Sequence, residues 1–119
     1  MIRRFLEWRQ RRREWYRCRD AAWEPALVKL PDGLTPFIRA AQSSLEATVD
    51  GLAFEIAGDK EKFLVGAIPR TQTLIYLGGD GASIESGSKE LFRSEWYDYQ
   101  TPGALVDEIA AKVRALARP

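Results

Sequence analysis

The chain has 119 residues, of which 45% are hydrophobic and 29% are charged, and this composition predicts one soluble globular domain spanning residues 1–119. It contains no histidine and a single cysteine, Cys18, which argues against nucleophile–histidine pairs, an internal disulfide and a zinc site. Because of these missing groups, we expect a protein without enzyme activity, without a cofactor and without a metal. The formal net charge is only +1.

The first predicted element is a basic, aromatic helix over residues 2–22. Residues 1–20 hold eight arginines and three acidic residues, a net charge of +5, whereas residues 21–119 hold ten basic and fourteen acidic residues, a net charge of −4. At about 100° per residue, one side of this helix alternates aromatic and guanidinium groups, namely Phe5, Trp8, Arg9, Arg12, Trp15, Tyr16, Arg19 and Trp23. Two interpretations stay open. Either the aromatic side chains pack on the rest of the protein beneath the arginine stems, or they contact a partner.

A second helix is predicted over residues 35–50, after a proline-containing connector at 24–33. Thr35 is a good N-cap, and Pro36 occupies the first helical position. The same Thr-Pro signature recurs at Thr101 and begins a last helix over 102–117.

The segment between these helices, residues 52–100, predicts an antiparallel sheet. Its strand candidates are 52–57, 62–68, 73–77, 82–86 and 90–100. Short connections between consecutive strands favour a meander. The predicted fold class is therefore α+β, with two N-terminal helices and one C-terminal helix packed on about five antiparallel strands.

The last strand candidate ends in SEWYDYQ, residues 94–100, which combines acidic and aromatic side chains. On a strand, Glu95, Tyr97 and Tyr99 would share one face, and Trp96 and Asp98 the other. Aromatic side chains often anchor protein interfaces, and acidic groups complement a basic partner. Which face is exposed stays open, and one face could simply be core. The predicted partner-binding residues are Glu85, Glu90, Glu95, Trp96, Tyr97, Asp98 and Tyr99.

The order of elements, the segment SEWYDYQ and the capped final helix TPGALVDEIAAKVRAL together resemble small bacterial immunity proteins, particularly those paired with contact-dependent growth-inhibition toxins. The resemblance lies in the layout of the chain and carries no residue assignments. It implies a protein that binds a cognate toxin domain, in some cases a nuclease, and blocks its active site.

The basic helix supports a second hypothesis, in which an accessory protein associates with nucleic acid or with a membrane surface. We rank it below protein binding, because the rest of the chain is acidic and arginines interrupt the aromatic side. Its candidate residues are Trp8, Arg9, Arg12, Trp15 and Arg19. A third hypothesis, an enzyme, requires a cleft that gathers the carboxylates of Glu85, Glu95 and Asp98.

Compartment is predicted from what the sequence lacks. No apolar run approaches the roughly 20 residues of a membrane helix. The basic N-terminus is not followed by the apolar segment of a secretory signal. A chain with one cysteine suits a reducing environment, and we therefore expect a cytoplasmic protein. The sequence leaves its oligomeric state open.

Overall fold

The computed structural model describes residues 2–118, which form three α-helices and one five-stranded antiparallel sheet. The helices are α1 (Ile2–Trp23), α2 (Pro36–Thr48) and α3 (Pro102–Ala117). The strands are β1 (Ala53–Ala57), β2 (Phe63–Ala67), β3 (Thr73–Leu77), β4 (Gly81–Ser86) and β5 (Lys89–Glu95). Each strand pairs with the next along the chain, so the predicted α+β meander is confirmed.

Helices α2 and α3 begin at the two predicted cap sites. The Thr35 hydroxyl accepts a hydrogen bond from the Ile38 N–H at 3.3 Å, and the Thr101 hydroxyl accepts one from the Ala104 N–H at 3.2 Å. A proline follows each cap, where its missing N–H costs nothing. The two helices pack against each other and contribute their apolar stripes to one core.

One face of the sheet forms the floor of that core, and the other face is open. The alternation is clearest on β3, where Thr73, Ile75 and Leu77 are buried, whereas Leu74 and Tyr76 are only half-buried. Strand side chains that join α2 and α3 in the core are Leu64, Ile75, Leu77, Ala82 and Ile84. The side chains between them in sequence point away from both helices, so this second face is accessible to a partner.

The predicted strand 90–100 is wrong at its end. Strand β5 stops at Glu95, and Trp96–Asp98 form a 3₁₀ turn. Glu95 pairs with Gly81, the first residue of β4, and the Trp96 N–H then donates to the Asp80 carbonyl oxygen at 2.8 Å, which leaves no further strand to pair with. The predicted distribution of residues 96–99 over two strand faces therefore does not occur.

Helix α1 projects from the body of the protein. Every residue from 2 to 18 is exposed, and the only buried residue of the helix is Trp23. A helix of 22 residues is about 33 Å long, and the molecule is correspondingly elongated, with extents of 57 × 35 × 25 Å. The interpretation in which the aromatic side chains of α1 pack on the body is therefore wrong for Phe5, Trp8, Trp15 and Tyr16, all of which are exposed. Within residues 2–118, no helix has the length and apolar content that crossing a membrane requires.

Candidate functional site

The segment SEWYDYQ anchors helix α1 to the body. Trp23, in the last turn of α1, is fully buried, and its Nε1–H donates to the Tyr99 carbonyl oxygen at 2.8 Å. Its ring lies 5.0 Å from Phe37 and 5.4 Å from Trp96, measured between centroids. Trp96 is accordingly half-buried at the rim of the core. The structure therefore gives this predicted partner-binding tryptophan a packing role.

Tyr99 also has a structural environment. Its hydroxyl forms a hydrogen bond with the Ser94 hydroxyl at 2.9 Å and donates another to the Glu108 carboxylate of α3. Burial, reinforced by the hydrogen bond to Glu108, raises the pKa of Tyr99 above its ordinary value, since both disfavour the phenolate. Among the aromatic residues predicted from this segment, Tyr97 is the one that projects, with 47% of its surface exposed.

A groove of about 530 Å³ lies on the open face of the sheet. Phe63 of β2 and Tyr76 of β3 supply its aromatic part, with ring centroids 6.5 Å apart. Four acidic residues line it, namely Glu61, Asp80, Glu85 and Glu95. We call this surface, defined by the two rings and the four carboxylates, the acidic groove.

The acidic groove contains two of the residues that the sequence singled out. Glu85 and Glu95 line the same groove because β4 lies beside β5 and both side chains stand on the open face, with Glu95 opposite Gly81, four residues or about 13 Å along β4 from Glu85. Asp98 lies in the 3₁₀ turn and is not among the lining residues of this groove, so the three-carboxylate cleft of the enzyme hypothesis does not form there. Glu90 lies outside the groove, opposite Glu85 in the ladder, and forms an ion pair with Arg93 at 3.2 Å.

The electrostatics of the acidic groove favour a cationic ligand. Its lining includes two basic residues: Arg93 is paired with Glu90, and the charge of Lys62, which donates to the Gly58 carbonyl oxygen at 2.7 Å, offsets one of the four carboxylates, so an excess of negative charge remains. Among residues 2–118, none of the four groove carboxylates takes part in a salt bridge. Carboxylates beside aromatic rings can bind guanidinium or ammonium groups while the rings pack on the apolar stems.

Sequence reasoning missed four of the six residues that define the acidic groove, namely Glu61, Phe63, Tyr76 and Asp80. Phe63 lies on a strand that is apolar on both faces, so its outward orientation is not visible in the pattern. Asp80 lies in the connection between β3, which ends at Leu77, and β4, which begins at Gly81, and the sequence of a short turn does not reveal which strand face its side chain extends. The available signal was the alternation of β3, which places Tyr76 opposite the buried Ile75 and Leu77.

The exposed side of α1 carries a second surface, in which arginines lie against aromatic rings. The Arg12 guanidinium lies 5.3 Å from the Trp8 ring centroid and 5.7 Å from that of Tyr16, and it donates to the Tyr16 hydroxyl at 3.3 Å. Trp15 contacts Tyr16 edge-on, with centroids 5.2 Å apart. The arginine–aromatic face of α1 is defined by Phe5, Trp8, Arg9, Arg12, Trp15 and Tyr16.

Arg19 joins this face to the body and is already engaged. It donates to the Tyr97 carbonyl oxygen at 2.8 Å and forms an ion pair with Asp20 at 2.9 Å. Its guanidinium also lies 4.9 Å from the Tyr16 ring centroid and 5.9 Å from that of Trp96. With 17% of its side chain exposed, Arg19 positions the helix, whereas Trp8, Arg9, Arg12 and Trp15 remain accessible.

Comparisons with protein-family models, with curated proteins and with solved structures found no match to this chain. Its function therefore has to be inferred from the acidic groove and from the arginine–aromatic face.

Proposed function

We propose that the protein is a non-enzymatic binding module that receives a basic surface of another protein in the acidic groove. The observation that supports this most is the presence, on an uncovered sheet face, of two aromatic rings and four carboxylates that lack salt-bridge partners within residues 2–118. Carboxylates that form no salt bridge within residues 2–118 can pair with cationic groups of another protein. Electrostatic complementarity of this kind accelerates association and selects the correct partner.

The more specific form of the proposal is an immunity protein that blocks a toxin domain, as the layout of the chain suggests. If the toxin is a nuclease with a basic cleft, the carboxylates of Glu85 and Glu95 take the place of substrate phosphates. The rings of Phe63 and Tyr76 then pack on the stems of arginine or lysine side chains. Trp96 and Tyr99 contribute indirectly, because they hold the end of β5 and the turn that follows it.

A first test uses a labelled oligoarginine peptide as the basic probe, with binding followed by fluorescence anisotropy. Reversing both charges in Glu85→Lys/Glu95→Lys is expected to weaken binding by about tenfold or more, because attractive pairs become repulsive ones. The matched control is Glu46→Lys/Glu55→Lys, which changes the net charge equally at exposed positions outside the groove. Equal weakening by both variants would show that binding follows net charge, and the groove would lose its role.

The immunity form needs a second experiment. The tagged full chain is expressed in its source cells, and proteins that copurify with wild type but not with Glu85→Lys/Glu95→Lys are identified. The proposal expects one of them to be a toxin domain whose activity is abolished by an equimolar amount of wild type. A groove-dependent partner whose activity is unaffected would eliminate the inhibitor role and leave the binding role.

A further inference from the structure

Helix α1 displays more apolar and aromatic surface than a solvated helix needs. Phe5 and Trp8 are 57% and 51% exposed, and Trp15 and Tyr16 are exposed on the same side. Helices in proteins owe most of their stability to tertiary packing of one face, and α1 receives such packing only in its last turn. A partner that covers this face would supply the missing contacts.

The charges of α1 indicate that this partner is an anion. Residues 2–14 hold six arginines and two glutamates, a net charge of +4 over about 20 Å of helix. The arginines do not serve the helix dipole, because Arg3 and Arg4 lie at the positive end, and the first turn contains no acidic residue. Arg3 forms an ion pair with Glu7 at 3.6 Å, but the other arginines of residues 2–14 form no salt bridge within residues 2–118, and their mutual repulsion costs helix stability until an anion neutralises them.

The acidic body does not provide that anion. Helix α1 joins the body at Trp23. Glu14, the last residue of the segment 2–14, lies nine residues before Trp23, or about 13 Å along the helix axis, and the other residues of this segment lie farther from Trp23. This distance exceeds the Debye length of about 8 Å at physiological salt, so the charge of the body is screened from residues 2–14 of α1. Within residues 2–14 the acidic residues are Glu7 and Glu14, which lie on the side of the helix opposite to the aromatic rings.

The mixture of groups distinguishes among anionic partners. An anionic membrane favours a continuous apolar arc, whereas Arg9 and Arg12 lie within the aromatic arc of α1 and would have to enter the apolar layer. An acidic protein would also use arginine and aromatic anchors, but such anchors cluster near the centre of an interface, whereas those of α1 are spread over about 17 Å of helix from Phe5 to Tyr16. Single-stranded nucleic acid uses both, because guanidinium groups bind phosphates and aromatic rings stack on unpaired bases.

We infer that α1 is a binding arm for single-stranded nucleic acid, in which Arg9 and Arg12 contact phosphates and Trp8 and Trp15 stack on bases. Duplex DNA is a poorer partner, because its bases are stacked inside the helix and the rings would find no face to contact. This activity is separate from that of the acidic groove and does not depend on the proposed function.

The test titrates the full chain into labelled oligothymidylate of about 20 nucleotides, with salt varied from about 50 to 200 mM. With three or four phosphate contacts, the slope of log affinity against log salt is expected to be about −2 to −3. Arg9→Glu/Arg12→Glu should reduce the affinity by more than tenfold and flatten the slope by about 1.4, which corresponds to two lost contacts. The matched control Arg13→Glu/Arg17→Glu makes the same charge change away from the aromatic rings and should retain most of the affinity.

The stacking of Trp8 and Trp15 on bases is tested separately from the phosphate contacts. Trp8→Ala and Trp15→Ala should each weaken oligothymidylate binding by about fivefold or more with little effect on the salt slope, because they remove a stacking platform and no charge. The quenching of tryptophan fluorescence that accompanies binding should largely disappear in Trp8→Ala/Trp15→Ala, since the remaining tryptophans are Trp23, which is fully buried, and Trp96, which lies outside α1. Far-UV circular dichroism of each variant verifies that α1 stays helical. If Arg9→Glu/Arg12→Glu loses helix content, Arg9→Gln/Arg12→Gln is used in its place.

The inference would be overturned if oligothymidylate did not bind at the lowest salt, or if the two arginine double variants lost equal affinity. It would also be overturned if the tryptophan variants bound as well as wild type, or if the protein bound vesicles of phosphatidylglycerol and phosphatidylcholine more tightly than the oligonucleotide. The groove variant Glu85→Lys/Glu95→Lys should bind oligothymidylate at least as well as wild type. A failure of the arm is thereby distinguished from a failure of the acidic groove.

Discussion

Replacement of Trp23 by alanine should destabilise the protein by about 3–5 kcal/mol, the range for removal of a fully buried tryptophan. The Trp23 ring is completely buried between Phe37 and Trp96, and its Nε1–H donates to the Tyr99 carbonyl oxygen at 2.8 Å. Alanine would open a cavity at this point and remove the donor from a half-buried acceptor. Domains of this size have a net stability of about 5–15 kcal/mol, so the variant would lose a large part of its margin.

Two further variants separate the contributions. Trp23→Phe keeps an aromatic ring and removes the N–H, and a cost of about 1–2 kcal/mol is expected for the lost hydrogen bond and the smaller side chain. Trp8→Ala is the matched control on the same helix. Its side chain projects into solvent, so the change in unfolding free energy should stay within about 0.5 kcal/mol.

Urea denaturation followed by far-UV circular dichroism provides the measurement. With a slope of about 1–3 kcal/mol per molar urea, a loss of 3–5 kcal/mol moves the midpoint by about 1 M or more. If Trp8→Ala destabilised the protein as much as Trp23→Ala, then α1 would pack on the body along its length, and the exposed arginine–aromatic face would not exist. A neutral Trp23→Ala would contradict the anchor itself.

Three other predictions concern the body. Gly66→Ala should destabilise the protein by about 1–3 kcal/mol, because a Cβ at this position would lie 2.6 Å from the Phe54 ring. Gly103→Ala should stabilise α3 by up to about 1 kcal/mol, because a Cβ there would have nothing within 4 Å. Thermal unfolding of the two variants checks this pair. The absorbance titration of wild type minus that of Tyr99→Phe should reveal a phenol with a midpoint above the ordinary value of 10.0. Because the folded-state pKa is raised, Tyr99 contributes stability that is present below pH 10.0 and is lost as the pH rises through the folded pKa; a midpoint at or below 10.0 would contradict this assignment. Thr35→Ala should cost about 1 kcal/mol in urea denaturation through loss of the α2 cap, while Thr35→Ser should cost much less.

The candidate site was only partly predictable from the sequence. Glu85 and Glu95 could be named in advance, because an acidic residue on a strand of a half-buried sheet is expected to face solvent. Their neighbours Phe63 and Tyr76 come from β2 and β3, and their proximity depends on strand register. The residues of the open face do not themselves indicate the strand register. The register follows from the burial of Leu64, Ile75 and Ile84 on the opposite face.

The sequence by itself determined the elements of this protein whose causes are local. The Thr-Pro caps determined where α2 and α3 begin, and alternation with short turns determined a five-stranded meander, because capping and strand patterning act over a few residues. Only the tertiary structure decided how α1 and the segment SEWYDYQ are used. Trp96 leaves the strand because in the turn its ring packs against Trp23. On an extended strand its backbone would lie beyond the end of β4 and would have no partner for pairing. Helix α1 projects because only its last turn has apolar partners, and that depends on contacts between residues more than 70 positions apart, such as Trp23 and Tyr99.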